Sequence, residues 1–362
     1  MKRTKTFRKP SATQDDVATA AGVSQAVVSA VLGGRTGKIG ASEKLQKKIL
    51  AAAAKLGYRT DSSARAMRMR RFYNLGYFTA NVLQAVEQDR PEFRAGVYDT
   101  AAAQGYQVTM VRLPSRPTAD TNPIPQVFRE SHLDGLIINH VSLLTPELEK
   151  VVAASGLPVV YLNEKLKSNA VYVDDFAGAR IMTEHLLTQG YRRVAFSCTE
   201  AGGHYSHADR VAGYSKVMEE RRLASRVLAT DTRRCGVDIL DWLKSPKRPD
   251  AIFCSSDFQA LYFQRFIHQL GLHFPDDLGL AGYNDDGYDL FLESPLTTMS
   301  IPRYDMGKAA VEMVLKLITA PEQSKVPSVR FQPGLVTGLS TQRGASHQQR
   351  PPRPDRWPGS IM

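Results

Sequence analysis

From Phe72 onward, short apolar runs alternate with longer amphipathic segments, and this alternation restricts the folds open to the chain. The runs at 74–78, 107–113, 133–139, 158–162, 171–173, 194–198, 251–254 and 278–283 read as strands. The segments at 145–154, 176–189, 210–221, 258–270 and 303–318 read as helices. Strands buried on both faces lose the in–out alternation of a half-exposed sheet, and helices between them make parallel crossovers. The pattern therefore predicts a parallel α/β body, long enough for two lobes. In such folds ligands sit beyond the carboxyl ends of the strands, so the residues just after each run are the ones to inspect.

The first seventy residues have a different texture. The stretch DDVATAAGVSQAVVSAVL (15–32) holds two short helical runs broken by Gly22, whose tolerance of positive φ suits a tight turn. Val17, Ala18, Ala20 and Ala21 form an apolar face on the first run. Ser24 is a ready N-cap for the second, and Val27, Val28, Val31 and Leu32 share one face of it. A third helix is expected from Ser42 to about Leu56, with Leu45, Ile49, Ala53 and Leu56 as its stripe and Gly57 closing it. Charge separates this segment from the rest. Residues 1–71 hold 16 Lys+Arg against 4 Asp+Glu, and the remainder holds 31 against 32. All the excess of +11 therefore sits with the helix pair, as a phosphate-binding head requires. Two helices about a glycine turn then read as a helix-turn-helix rather than a plain αα corner. Residues 61–71, with four arginines and little apolar surface, read as a linker or a short helix ordered by DNA.

The sequence also excludes. Cys198, Cys235 and Cys254 lie far apart without metal-ligand spacing, so each reads as a small buried hydrophobe in a reducing compartment. No signal-peptide core of roughly 7–15 apolar residues follows the basic start, and no apolar run approaches the ~18 residues of a membrane span, so a cytoplasmic protein is expected. The phosphate-loop, dinucleotide, zinc-protease and nucleophile-elbow motifs are all missing, which argues against an enzyme with no further cofactor or metal expected. His204 and His207 in GGHYSHADR read as a solvated loop rather than a metal pair. The carboxylates of GYNDDGYD lack calcium-loop spacing and read as exposed. The tail from Gly344 is rich in Pro, Arg and Gln and reads as disordered.

Taken in order, the motifs resemble the lactose-repressor (LacI/GalR) family over about residues 13 to 340. DVATAAGVSQAVVSAVL resembles its helix-turn-helix, KKILAAAAKLGYR its third helix, and SSARAMR its hinge. LDGLII, LPVVYLN, VDDFAGARIMTEHLLTQGYRRVAF, DRVAGY, RPDAIFCSSDFQAL, LGLAGYNDDGYDLF and PLTTMSIPRYDMGKAAVEMVL follow in the family's order. The resemblance implies an α/β chain with an N-terminal helix-turn-helix (lambda-repressor-like) head at 1–60 and a hinge at 61–71. A two-lobed periplasmic-binding-protein-like body at 72–340 and a tail at 341–362 complete it. One lobe would comprise about 72–163 plus 302–330, the other about 164–301 plus 331–340, with three crossings as a hinge. It further implies a cytoplasmic repressor or activator, most often a repressor, that is a homodimer or tetramer, the dimer being favoured without a heptad tail. Its partners would be double-stranded operator DNA and a small effector, usually a sugar.

Site residues follow from the same resemblance. Thr13, Ser24, Gln25, Ala26, Val27, Ser29, Ala30 and Arg35 of the head, and Ser62, Ala64, Arg65 and Met67 of the hinge, are the DNA-binding set. Ala30 stands where the family has a base-reading Arg. Gln25 can bond an adenine edge, Ala26 offers apolar contact to a thymine methyl, and Met67 replaces the minor-groove Leu wedge. Arg35 and Lys38 lie in a loop about three residues longer than usual, and Thr60 replaces a common Pro. The effector set is Asn163, Arg210, Ser256 and Asn284, with Tyr205 or Phe258 covering an apolar sugar face. Asn163 and Asn284 stand where the family has carboxylates, an exchange that leaves Arg210 less neutralised and favours an anionic ligand such as a uronate or a phosphorylated sugar. Alternative readings are a repressor with no effector, a periplasmic-type sugar-binding protein, and an α/β enzyme on sugars or nucleotides. The last two lack, respectively, a signal peptide and a catalytic constellation.

Overall fold

The computed structural model describes residues 12–33, 41–59, 66, 69, 71–80, 90–113, 132–139, 146–199, 204–230, 237–292 and 294–343. They divide into two units, 1–73 and 74–362, each described here by itself.

In the first unit, helix α1 (Gln14–Ala21) starts at a reciprocal cap. The Thr13 hydroxyl accepts from the Asp16 amide at 3.2 Å, while Asp16 Oδ2 accepts from the Thr13 amide at 2.7 Å. Gly22 ends the helix at φ 66, where its amide returns to Ala18 and Thr19. Helix α2 (Gln25–Leu32) follows α1 after three residues, and α3 (Glu43–Lys55) is capped by Ser42. Val17, Ala21, Val28, Val31, Ile49 and Ala53 form the core between them. Ile49 is fully buried, a contribution of about 1.5–3 kcal/mol. Two residues of the expected stripes are displaced from it. Ala20 is exposed and Leu56 is 40% exposed, because the chain turns at Gly57 and packs Tyr58 against the core instead. Of the expected hinge only 66, 69 and 71 are described, with Ala66 and Met69 helical.

The second unit contains two parallel sheets. Strands β1 (Asn74–Ala80), β2 (Gln107–Leu113), β3 (Gly135–Asn139), β4 (Val159–Leu162), β5 (Ala170–Val173) and β11 (Val329–Phe331) form one, ordered β11-β5-β4-β3-β1-β2. Helices α4 (Pro91–Ala103), α5 (Pro146–Ala154) and α10 (Arg303–Thr319) belong to this lobe. The second sheet is ordered β7-β6-β8-β9 from β6 (Val194–Thr199), β7 (Val227–Thr230), β8 (Ala251–Cys254) and β9 (Gly279–Ala281). Around it lie α6 (Asp175–Thr188), α7 (Tyr205–Glu220), α8 (Val237–Lys244) and α9 (Asp257–Gln269). Phe196, Tyr214, Phe253 and Tyr283 dominate the core on one face of it, Phe263 and Phe274 that on the other. A short antiparallel pair, β10 (Thr298–Ser300) with β12 (Gly334–Val336), lies at the crossings.

The lobe boundary differs from the expected one. β5 pairs with β4 and β11, so the first lobe runs to Val173 and the first crossing falls at Asp174, not at Asn163. The run at 171–173 was assigned across that boundary because a strand's sheet is set by its hydrogen-bonded neighbours, not by its composition. Strand β7 and helices α4 and α8 lie outside the segments singled out above, although α8 carries a marked apolar face with Ile239 and Leu243 buried. Helix α7 starts at Tyr205 rather than Arg210, because His204 takes the N-cap position and accepts from the Ser206 amide.

Helices α4 and α10 cross at paired glycines. A Cβ on Gly96 would lie 2.0 Å from the Tyr304 carbonyl oxygen, and one on Gly307 would lie 2.3 Å from that of Phe93. Both obstacles are backbone, which cannot rotate away. Gly307→Ala is therefore expected to destabilise the body by about 1–3 kcal/mol, towards the upper end, as a lower denaturant midpoint. Gly334→Ala, with nothing within 4 Å, should leave the midpoint unmoved. Equal midpoints for the two variants would count against this crossing.

Candidate functional site

The head presents a short reading surface. Gln25 and Ala26 open α2 and are both exposed, as is Ser24 at its N-cap, whose side chain makes no capping bond. The Gln25 amide donates to Gln14 Oε1 at 3.0 Å, which aligns it across α1 and α2. Val27 and Ser29 are half-buried, and Thr13 is exposed with its hydroxyl in the α1 cap. Ala30 is a correction to the sequence reading. It lies one turn beyond exposed Ala26 on the same side of α2, yet it is only 3% exposed, so it has almost no surface to offer a base. Arg35, Lys38, Thr60, Ser62, Ala64, Arg65 and Met67 lie outside the described residues.

In the body, the polar residues converge where β5, β8 and β9 end. Arg210 is buried in the second turn of α7. Its Nε donates to Asp175 Oδ1 at 2.7 Å, Nη1 to the Ser255 carbonyl, and Nη2 to Asn284 Oδ1 at 3.1 Å. Its flat face lies 3.7 Å from the centroid of the Tyr283 ring. Three of the five guanidinium donors are thus committed to fixed acceptors, which sets the orientation of the rest. The expectation that Arg210 is short of negative charge is overturned. Asp175 neutralises it from a position the sequence reading did not use, which removes the argument for an anionic ligand.

Asn284 follows β9 at φ 103, and its side-chain amide donates to Asp286 Oδ2 at 3.2 Å. Asn163 follows β4 at φ 63, with its carbonyl 2.8 Å from His204 Nε2. The Tyr205 hydroxyl accepts from the Val173 amide at 3.1 Å, which pins the ring across the end of β5 and edge-on to Tyr172. Ser256 caps α9, its hydroxyl accepting from the Gln259 amide at 3.2 Å. Phe258 is 42% exposed and packs against Tyr288. The structure therefore groups Asn163 and Tyr205 about His204, and Asp175 and Asn284 about Arg210. Ser256 stands beside them, and Phe258 lies with a separate aromatic pair.

Two readings of loops as solvated are also corrected. His204 and His207 are partly buried, and burial beside Arg210 and His204 pushes the His207 imidazole down to about 4, so it is neutral near pH 7. In GYNDDGYD the Asp286 carboxylate is 1% exposed, held by Arg90 and Arg303. Among the described residues, no three His, Cys, Asp or Glu come together to hold a metal. Cys198 and Cys254 are free thiols, and only Cys254 is fully buried; Cys235 lies outside the described residues. No described helix is long and apolar enough to cross a membrane.

Sequence reasoning missed Asp175, Asp257 and Asp286. A signal existed for the first. VDDF has two acids where a helix needs one cap, and Asp174 takes that role by accepting from the Ala177 amide, so Asp175 is released towards Arg210. Asp257 is 2% exposed, accepting from Thr298 Oγ1 at 2.6 Å and the Asp286 amide at 2.7 Å. Burial, with Asp286 nearby, pushes its carboxyl up to about 7.

A basic helix-turn-helix head attached to a two-lobed body, with a buried polar network at its strand ends, defines an effector-controlled DNA-binding regulator. Comparison with known proteins supports the same class. Residues 13–61 match bacterial regulatory proteins of the lacI family, and residues 183–341 match the periplasmic binding protein-like domain. The chain is 27% identical to the ribose operon repressor of Halalkalibacterium halodurans, over 92% of this chain and 98% of that one. It is 29% identical to the transcriptional repressor PurR of Vibrio campbellii, over 87% and 94%. In fold it is similar to the lac repressor dimer bound to operator and the anti-inducer ONPF. There the TM-score is 0.72 at 23% identity, covering 92% of this chain and 99% of that one. A complex of the regulator CelR with cellobiose superposes with a TM-score of 0.62 at 21% identity, covering 91% and 99%. The chain carries a lacI-family helix-turn-helix domain and a periplasmic binding protein-like domain, and the relatives it matches over nearly their whole length are transcriptional repressors, so it is a transcriptional regulator rather than an enzyme.

Proposed function

We propose that the protein is a cytoplasmic, homodimeric repressor that reads a pseudo-palindromic operator with α2. Its affinity for the operator is set by a neutral, polyhydroxylated effector, a sugar or sugar derivative. The observation that carries the DNA half is the exposure of Gln25 and Ala26 on a head holding all the excess positive charge of the chain. Ser24, Val27, Ser29 and Thr13 flank them, and Arg35, Ser62, Ala64, Arg65 and Met67 complete the proposed DNA set. Two such heads place one α2 in each of two successive major grooves. On the effector side, Asn163, Arg210 and Asn284 supply donors and acceptors for hydroxyls, with Tyr205, Ser256 and Phe258 around them. The Asp175 carboxylate on Arg210 favours a neutral ligand over a uronate. Relatives named ribose operon repressor and transcriptional repressor PurR, and the CelR–cellobiose complex, support a regulator that answers to a small effector.

Gel mobility on the gene's own upstream DNA tests the reading. Gln25→Ala is expected to cost about 1–3 kcal/mol and to relax one base position in each half-site. Alanine at basic residues outside α2 should weaken all sequences alike and flatten the salt dependence. Unchanged sequence preference in the Gln25 variant, or full affinity for a single half-site, would refute it.

A further inference from the structure

The two lobes are joined by a buried charge cluster that the effector reading does not use. Asp286 lies in the loop after β9, in the second lobe. Its Oδ1 accepts from Arg303 Nη2 at 2.7 Å and is 2.8 Å from Arg90 Nη2. Arg90 caps α4 and Arg303 opens α10, so both arginines belong to the first lobe. The carboxylate is 1% exposed, Arg303 7% and Arg90 18%. Arg90 also lies 5.6 Å from the centroid of the Tyr288 ring in the second lobe.

The loop is built to aim this carboxylate. Asn284, Asp285 and Gly287 all have positive φ, and the Asp286 amide is tied to Asp257. The free carboxylate oxygen, Oδ2, accepts from the Asn284 side chain, which in turn accepts from Arg210. One carboxylate therefore faces two guanidiniums across the cleft and holds the amide that orients Arg210.

We propose that Asp286 is a latch that keeps the two lobes closed before any effector binds, and a positioning residue for Asn284. A carboxylate this buried is stable only with its cations in place, so separating the lobes would strand one anion and two cations at once. Burial also shields the contact from salt screening. The closed arrangement is thus intrinsic to the body, and an effector acts on a pre-closed cleft rather than closing an open one. The inference rests on the two-lobed body and is independent of which ligand it takes.

Pulsed electron resonance on the full chain tests it, with no operator and no effector present. Spin labels attached through genetically incorporated ketone side chains at exposed Gln104, in the first lobe, and Lys247, in the second, leave the native cysteines alone. The parent should give one narrow distance distribution. Asp286→Ala should lose that peak to a broader one, and formate, which fits the vacated carboxylate site between the arginines, should restore it. Asp286→Asn keeps the volume but not the charge, so it should broaden the distribution without formate rescue. Arg303→Ala added to Asp286→Ala should broaden it little further and abolish the rescue. A broad distribution in the parent, an unchanged one in both Asp286 variants, or a formate effect absent from folded Asp286→Ala would overturn the latch. Failure of the sugar or operator reading would leave all these distances unaffected, so the two outcomes are distinguishable.

Discussion

Arg210→Ala is expected to lose the effector response and to destabilise the body by about 3–5 kcal/mol, the range for breaking a buried ion pair from one side. The cost has a specific origin. Asp175 is 1% exposed and its Oδ1 faces the Arg210 Nε at 2.7 Å, so truncation leaves a buried carboxylate without its cation. The Ser255 carbonyl and Asn284 lose a donor as well. Stability and function separate in a double variant. Arg210→Ala with Asp175→Ala removes both charges and should recover most of the lost stability while remaining unresponsive to effector. Arg210→Lys keeps a charge but replaces a planar fork by a point donor that cannot serve Asp175, Ser255 and Asn284 together, so it should retain more stability than response. Denaturant melts give the stabilities, and operator titrations with a neutral sugar found by thermal-shift screening give the response. A single variant that still responds like the parent would make Arg210 purely structural and place the effector elsewhere.

The second large effect is a pH dependence centred on Asp257. Its folded-state pKa is about 7, against 3.8 for an ordinary aspartate. The folded protein therefore binds this proton more tightly than the unfolded chain does. Its contribution to stability is fully present below about pH 4 and is lost as the pH rises towards 7. At about 1.4 kcal/mol per unit, the window amounts to about 4 kcal/mol. Other carboxylates pull the opposite way, so the informative quantity is the difference between parent and Asp257→Asn. The asparagine carries no charge at any pH, and relative to it the parent should lose stability steadily from pH 4 to pH 7. The Thr298 hydroxyl and the Asp286 amide, which favour the ionised form, moderate the slope without reversing it. A parent–variant difference that stayed flat over this range would show that Asp257 is ionised throughout.

Much of the molecule was legible in local pattern. Gly22 between two apolar helical faces, Ser42 before a periodic stripe, and a charge excess confined to residues 1–71 identify the head without reference to anything distant. The apolar runs that became β1, β3, β6 and β8 are legible for the same reason, since a strand buried on both faces must be apolar along its length. Arg210 and Asn284 were singled out through motif order, and the structure brings them to 3.1 Å of each other.

What the sequence by itself determined was therefore most of the elements, the basic head and the resemblance to a family of DNA-binding regulators. Only the tertiary structure decided how the charges pair. Asp175 meets Arg210 across 35 residues, and Asp286 meets Arg303 across 17 and Arg90 across the cleft. A lone Asp in a loop reads as solvated because water is its default partner, and nothing local reveals that two guanidiniums from another lobe replace that water. The same limit misplaced β5, whose four residues suit either sheet until β4 and β11 supply their hydrogen bonds. Ala30 differs from Ala26 on the same side of α2 for a related reason, because how much of a short helix is covered along its length is settled by what packs around it.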